Sequence, residues 1–281
     1  MSQAALSRAR QLLQPRRRRE ARLFLAEGRH VIASALDAGL GAREAFAARS
    51  GLRDDALELT ARLRQAGVTV HEIEERALRE IAGTRTPQGV VAVFAEPPAP
   101  PRPFAERLQG PGNAGTLLRA AEAFGARGVV ALPGTVDLWS GKALRAGQGA
   151  HVHLVVLQDA PGVDTAGLLA AFRAAGGEVW AAETGGDDVY AAPPPPALCM
   201  LAVGNEAGGL APDVLARADR RVAVPQRGRT ESLNVAMAGT VLLSWIARGV
   251  RAAGAAPPPR CALPGASPGA PSGDPRSRPL S

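Results

Sequence analysis

The chain has 281 residues, with 33 Lys plus Arg against 26 Asp plus Glu and a formal net charge of +7. That length allows one large or two modest domains with a core of normal size, and the basic excess suits a polyanionic partner without identifying one. Two cysteines, Cys199 and Cys261, exclude a disulfide framework and a cysteine metal site, and no apolar stretch approaches the ~20 residues of a membrane-spanning helix.

The N-terminus lacks the apolar core of a secretory signal, so a reducing, cytoplasmic setting is expected. Lys142 is the only lysine; the arginine excess, alongside so much Ala, Gly and Pro, reads chiefly as compositional bias.

Residues 1–22 are basic, with a run at Arg16–Arg19, and are expected to form a solvated surface or arm, with RNA contact as the alternative. Residues 23–96 read as a small α/β domain. An apolar run at Leu23, Phe24 and Leu25 precedes Glu27-Gly28, and Val31, Ile32, Ala35 and Leu36 then follow helical spacing up to Gly39. Residues 55–63 give a second helix, 68–71 a strand and 76–81 a third helix. Thr86-Pro87-Gln88-Gly89 is a turn into a strand at 90–94.

Residues 97–108 form a proline-rich linker, expected to be a semi-rigid spacer. Between 109 and 251 strands alternate with helices. Strands are predicted at 128–132, 152–157, 178–182, 198–203 and 221–224, and helices at 113–124, 140–146, 165–174, 212–218 and 232–248. Such alternation predicts a mostly parallel sheet covered on both faces. Trp139, Trp180 and Trp245 sit among apolar neighbours and read as packing residues. Residues 252–281 are Pro, Gly, Ala and Ser in the main and are expected to be disordered.

Three segments carry the chemistry. The first, QGPGNAGTLLRAAEAFG from Gln109, contains Gly110, Gly112 and Gly115 in a Gly-x-Gly-x-x-Gly pattern. A dinucleotide fingerprint needs a strand directly before it and a carboxylate about 20 residues later; neither is present. Asn113 can instead cap the helix that follows, with Arg119 projecting from its second turn.

The second segment is Gly204-Asn205-Glu206 at a strand end, followed by Gly208-Gly209-Leu210 and, one strand later, Val224-Pro225. Apolar runs that end in Gly or Pro present backbone amides and carbonyls where a cofactor can be gripped without side chains. The third, Ser232-Leu233-Asn234-Val235, opens the last helix. His151 and His153, two apart on a predicted strand, would share one face. Two histidines fall short of a zinc site, which takes about three or four protein ligands.

Together these segments resemble the three motifs of the SpoU/TrmH family of RNA 2′-O-ribose methyltransferases, of the SPOUT class. The first corresponds through Pro111, Asn113, Gly115, Arg119, Ala123, Phe124 and Gly125. The segment Arg145-Ala146-Gly147-Gln148-Gly149-Ala150 is similar to the family's Arg-Ala-Ser-x-Gly-Ala, with Gly147 in place of Ser. LFLAEGRHVI and TRTPQGVVAVF resemble the two ends of the family's N-terminal substrate-binding domain, a fold shared with ribosomal RNA-binding proteins.

The resemblance implies an α/β fold whose C-terminal parallel sheet carries a trefoil knot. It implies S-adenosyl-L-methionine held by Gly204, Asn205, Gly209, Val224, Pro225 and Leu233, and no metal. It also implies methyl transfer to a ribose 2′-hydroxyl of RNA, most readily 23S-type ribosomal RNA, by a homodimer packed partly through the last helix. Arg119 would activate the hydroxyl, Asn113, Ser232 and Asn234 would orient it, and Glu206 would hold the knot loops or a partner arginine. Gln226 stands where the family usually has Met.

One stretch departs from the family. Where an apolar strand normally runs into the first motif, PPRPFAERLQG offers only Phe104 and Leu108. Either residues 90–94 are recruited as that strand or a core strand has been lost. Loss would favour a different reading, a non-catalytic RNA-binding protein with a degraded methyltransferase domain; a tRNA substrate is a further alternative.

Overall fold

A computed structural model of the chain describes residues 2–84, 86–97, 105–106, 110–158, 164–205, 208–229 and 232–252. The predicted disordered tail therefore lies almost wholly outside the described residues.

Although Arg16, Arg17 and Arg19 are exposed as a solvated surface would have them, residues 2–21 are not a free arm. They form two helices, α1 (Ser2–Gln11) and α2 (Pro15–Ala21). Ala5, Leu6, Ala9 and Leu12 recur at helical spacing and are buried together with Phe46, Leu78 and Ile81. The arginine run masked this stripe. Arg18 is itself buried and pairs with Asp137 far along the chain, so one residue of the run is a structural tether.

Next come β1 (Leu23–Glu27), α3 (Arg29–Asp37), β2 (Ala42–Ala48), α4 (Asp54–Gln65), β3 (Val70–Ile73), α5 (Glu75–Ile81) and β4 (Val90–Ala95). Their strands form one sheet in the order β1-β4-β2-β3, antiparallel except for β2 with β3. The central strand β2 escaped the sequence reading because its sequence, AREAFAA, is dominated by alanine and lacks β-branched residues. Burial between two helical layers, rather than intrinsic propensity, makes it a strand.

The strand β4 stays in this first sheet, paired on both edges, so residues 90–94 are not recruited elsewhere. The position before the first motif is filled instead by β5 (Ala105–Glu106), two residues inside the expected linker. Ala105 pairs with Val130 and Glu106 with Ala131, parallel to β6 (Gly128–Ala131). The strand is shortened, not lost.

The rest of the chain comprises α6 (Pro111–Ala123), α7 (Gly141–Gly147), a 3-10 turn (Ala150–Val152), β7 (Val155–Gln158), α8 (Thr165–Ala174), β8 (Glu178–Asp188), β9 (Cys199–Ala202), α9 (Pro212–Leu215), β10 (Arg220–Ala223) and α10 (Val235–Ala252). Strands β5-β6-β7 and β10-β8-β9 form two parallel sheets that meet where β5 lies beside β9. The observed arrangement is the α/β fold with a parallel sheet that the alternation predicted.

The three tryptophans pack as expected: Trp180 is fully buried against Trp245 at 5.7 Å, and Trp139 lies 4.8 Å from Phe24. The histidines do not share a strand face. His151 lies in the 3-10 turn, fully buried, whereas His153 is exposed.

One hydrophobic cluster crosses from the first sheet to the second, joining Phe24, Ile32 and Phe94 to Trp139, Leu144 and Val152. The two halves are therefore packed on each other through apolar contact as well as the Arg18–Asp137 pair.

Candidate active site

A kink in β8 creates the site. Trp180 and Ala181 pair with Arg220 and Arg221 of β10, and pairing resumes at Asp187 with Val222. The intervening residues bulge away from the ladder, re-aiming the strand as bulges do. Ala182, Glu183, Thr184 and Gly185 from this bulge line a cavity of about 570 Å³. Gly186 must stay small, since a Cβ there would lie 2.7 Å from the Val222 nitrogen.

The opposite walls come from the turns after β9 and β10 and from the start of α10. Val203, Gly204, Asn205, Gly208, Gly209 and Leu210 supply one side, Val224, Gln226, Ser232, Leu233, Asn234 and Val235 another. The turn after β9 is closed by backbone bonds in both directions between Asn205 and Gly209, each 3.1 Å, with the Asn205 side chain accepting from the Gly208 amide. A Cβ on Gly204 would lie 2.2 Å from the Gly209 carbonyl carbon, so only glycine lets the two backbones meet.

Of the residues expected to grip a cofactor, Gly204, Asn205, Gly209, Val224 and Leu233 line this cavity; Pro225 is adjacent but not in its wall. Ser232 and Asn234 line it too. Glu206 lies outside the described residues. Asn113 reaches the wall through Asn234, whose Nδ2 donates to Asn113 Oδ1 at 3.3 Å. Asn234 also caps α10, its Oδ1 accepting from the Ala236 amide at 2.9 Å. Arg119 is exposed on α6, about 9 Å further along the helix axis than Asn113 at 1.5 Å per residue.

The residues missed from sequence are those of the β8 bulge. The signal was present: Glu183-Thr184-Gly185-Gly186 breaks an apolar strand with polar and glycine residues. Glu183 carries a carboxylate in the wall, 3.5 Å from Arg221.

Helix α6 is held by close backbone packing on α7. A Cβ on Gly115 would meet the Ala143 carbonyl oxygen at 2.3 Å, which explains the glycine in the first motif. Gly147 has its own cause, since a side chain there would drive into the His151 ring, 2.5 Å from Cε1. The His151 ring is fully buried, and burial pushes its pKa down to about 4, with the Leu138 backbone acting in the opposite direction. It is a neutral packing residue. Burial, reinforced by Glu178 and Asp219, likewise pushes the Cys199 thiol up to about 12, leaving it an unreactive core group.

The cavity fits a nucleoside-sized cofactor. Its volume lies within the range of ~300–1,000 Å³ typical of small-molecule sites, and apolar Leu210, Leu215, Val224 and Leu242 face backbone groups of glycine turns. Among the described residues no group of His, Cys, Asp and Glu could hold a metal, and no helix is long and apolar enough to cross a membrane.

Residues 104–244 match the SpoU rRNA Methylase family, and residues 5–92 match the MRM3-like substrate binding domain. The 23S rRNA (guanosine-2′-O)-methyltransferase RlmP of Bacillus subtilis is 33% identical over 227 residues, covering 78% of this chain and 86% of its own. The SpoU methyltransferase AviRb of Streptomyces viridochromogenes, solved with S-adenosylmethionine, superposes with a TM-score of 0.76 at 27% identity over 87% of this chain and 97% of that one. A rRNA methyltransferase of Sinorhizobium meliloti, also solved with this cofactor, gives 0.73 at 27% identity over 88% and 95%. The family match, the RlmP likeness over most of both chains and the cofactor-sized cavity between the second and third motif turns agree: this chain belongs to the SpoU rRNA methylase family of S-adenosylmethionine-dependent RNA 2′-O-methyltransferases.

Proposed function

We propose that this protein methylates a ribose 2′-hydroxyl of ribosomal RNA, with the cavity between the β8 bulge and α10 as the cofactor site. The observation that carries the reading is the Asn113–Asn234 bond, which ties the RNA-facing helix α6 to the cavity wall. A 23S-type substrate is favoured by the likeness to RlmP over 78% of this chain and by the substrate-binding domain at 5–92.

Bound in the cavity, S-adenosylmethionine would supply an electrophilic methyl group, so the protein's task is alignment more than activation. Gly204, Asn205, Gly209, Val224 and Leu233 would hold it through backbone groups, the chain threading these turns as a trefoil knot. Arg119 stays protonated at ordinary pH and so orients the ribose and its flanking phosphate electrostatically. The 2′ proton passes to a phosphate oxygen or water beside it. Ser232 and Asn234 fix the hydroxyl at the cavity rim, and Asn113 holds Asn234. The protein would act in the cytoplasm, as a homodimer packed partly through α10, where Met237 is 61% exposed.

The alternative of a degraded, purely RNA-binding protein rested on a lost strand, and β5 removes that ground. The test is transfer of labelled methyl from the cofactor to unmodified 23S rRNA and to tRNA. Label recovered in alkali-resistant dinucleotides from rRNA is expected. Label in tRNA alone would overturn the substrate, and no transfer by folded protein would overturn the activity.

A further inference from the structure

Glu27 ends β1 and is 5% exposed, a carboxylate that burial would penalise unless fully partnered. It has three partners. The Gly83 amide donates to Oε2 at 3.0 Å, the Thr84 hydroxyl donates to Oε1, and Arg145 of α7 donates from Nη1 to Oε2 at 2.9 Å. The other Arg145 nitrogen donates to the Gly83 carbonyl at 3.1 Å. One guanidinium thus grips two points of the substrate-binding domain, a carboxylate and a carbonyl, in the planar fork that lysine cannot reproduce.

Gly83 makes room for it, since a Cβ there would lie 2.7 Å from Nη1. The same seam is closed a turn later. Ser34 Oγ lies 2.8 Å from His153 Nε2, and Gly149 is so close that a Cβ would meet the Ser34 Cβ at 2.6 Å. Arg145 sits on the short helix whose Ala143 and Ala146 abut Gly115 of α6. A contact at Glu27 is therefore passed by rigid packing to the helix that bears Asn113 and Arg119.

We propose that Arg145 is a positioning residue for methyl transfer. Clamped on Glu27 and Gly83, it sets α7, and through it α6, at a fixed place relative to the RNA-binding half. RNA held by residues 2–95 then meets the cofactor cavity in register. The proposal rests on the reading that α6 faces the RNA, which the Arg119 variants test separately.

The experiment uses the full chain and three variants, Arg145→Ala, Arg145→Lys and Glu27→Gln. Melting temperature, calorimetric affinity for S-adenosylmethionine, rRNA affinity and single-turnover methyl transfer are read for each. Arg145→Ala is expected to slow transfer by about tenfold to a hundredfold, the scale of a small misplacement of reacting groups, with cofactor affinity within about twofold of wild type. Millimolar guanidinium should restore much of that rate, and Arg145→Lys should recover little of it because one ammonium cannot span both acceptors. Glu27→Gln removes the charge but keeps one acceptor oxygen for the Gly83 amide, and the Thr84 hydroxyl can turn to accept from the new NH2; it should fold and slow transfer in the same direction. Transfer by Arg145→Ala within about twofold of wild type overturns the proposal. So does a loss that follows melting and cofactor affinity and is not restored by guanidinium.

Discussion

Asn234 Nδ2 donates to Asn113 Oδ1 at 3.3 Å, joining residues 121 positions apart and fastening the start of α10 to the start of α6. The same side chain caps α10 through its Oδ1, so cap and cross-link use different atoms of one amide. Substitutions can separate the two. Asn234→Asp keeps the capping oxygen and loses the donor, and should retain stability while slowing transfer about tenfold or more. Asn234→Ala should in addition cost about 1 kcal/mol of stability. Denaturant unfolding alongside single-turnover rates checks both.

Gly204 is the position where the cavity wall has no room. Its missing Cβ would collide with the Gly209 backbone, which cannot rotate aside as a flexible side chain can. Gly204→Ala should destabilise by about 1–3 kcal/mol, as overpacking does, and weaken cofactor binding in calorimetry. Gly112→Ala, where a Cβ meets nothing within 4 Å, is the control expected to change neither.

His151 should govern part of the acid sensitivity. Its folded pKa, about 4, lies below the usual 6.5 because burial disfavours the charged ring. Between those values the unfolded chain binds the proton more readily, so this contribution to stability is complete above pH 6.5 and is lost as pH falls toward 4. Unfolding midpoints from pH 4 to 8 should show wild type losing more on acidification than His151→Leu. Equal losses would show that the ring is not held neutral.

Glu96 works in the opposite sense. Burial raises its pKa from 4.5 to about 7, with Arg22, 3.1 Å away, and Arg18 lowering it and Asp137 raising it. The folded state keeps a proton that the unfolded chain has released, so this contribution is present at low pH and is lost as pH rises from 4.5 to 7. The stability of wild type relative to Glu96→Gln should fall across that window and level off above it. A flat difference would show that Glu96 is ionised throughout, as the nearby guanidinium of Arg22 favours.

The motif turns were legible because glycine, proline and asparagine punctuate them, and such residues have few other uses between apolar runs. Gly204, Val224, Leu233 and Asn234 accordingly fall around one cavity. What stayed hidden depends on tertiary context. The alanines of β2 and the two residues of β5 have no strand signature of their own, and neighbours make them strands. Arginine content concealed the apolar stripe of α1, and Arg18 could not be told from its exposed neighbours without Asp137 beside it. The β8 bulge read as a strand end because no local rule says that β10 will resume pairing beyond it.

The placement of Arg119, exposed on α6 and outside the cavity wall, is the point on which the proposed mechanism turns. Single-turnover methyl transfer to rRNA by Arg119→Ala, with S-adenosylmethionine affinity measured on the same preparation, tests it directly. The account predicts a rate lower by about a hundredfold or more with cofactor affinity unchanged. A rate close to wild type, or a loss explained by failure to bind the cofactor, would contradict it.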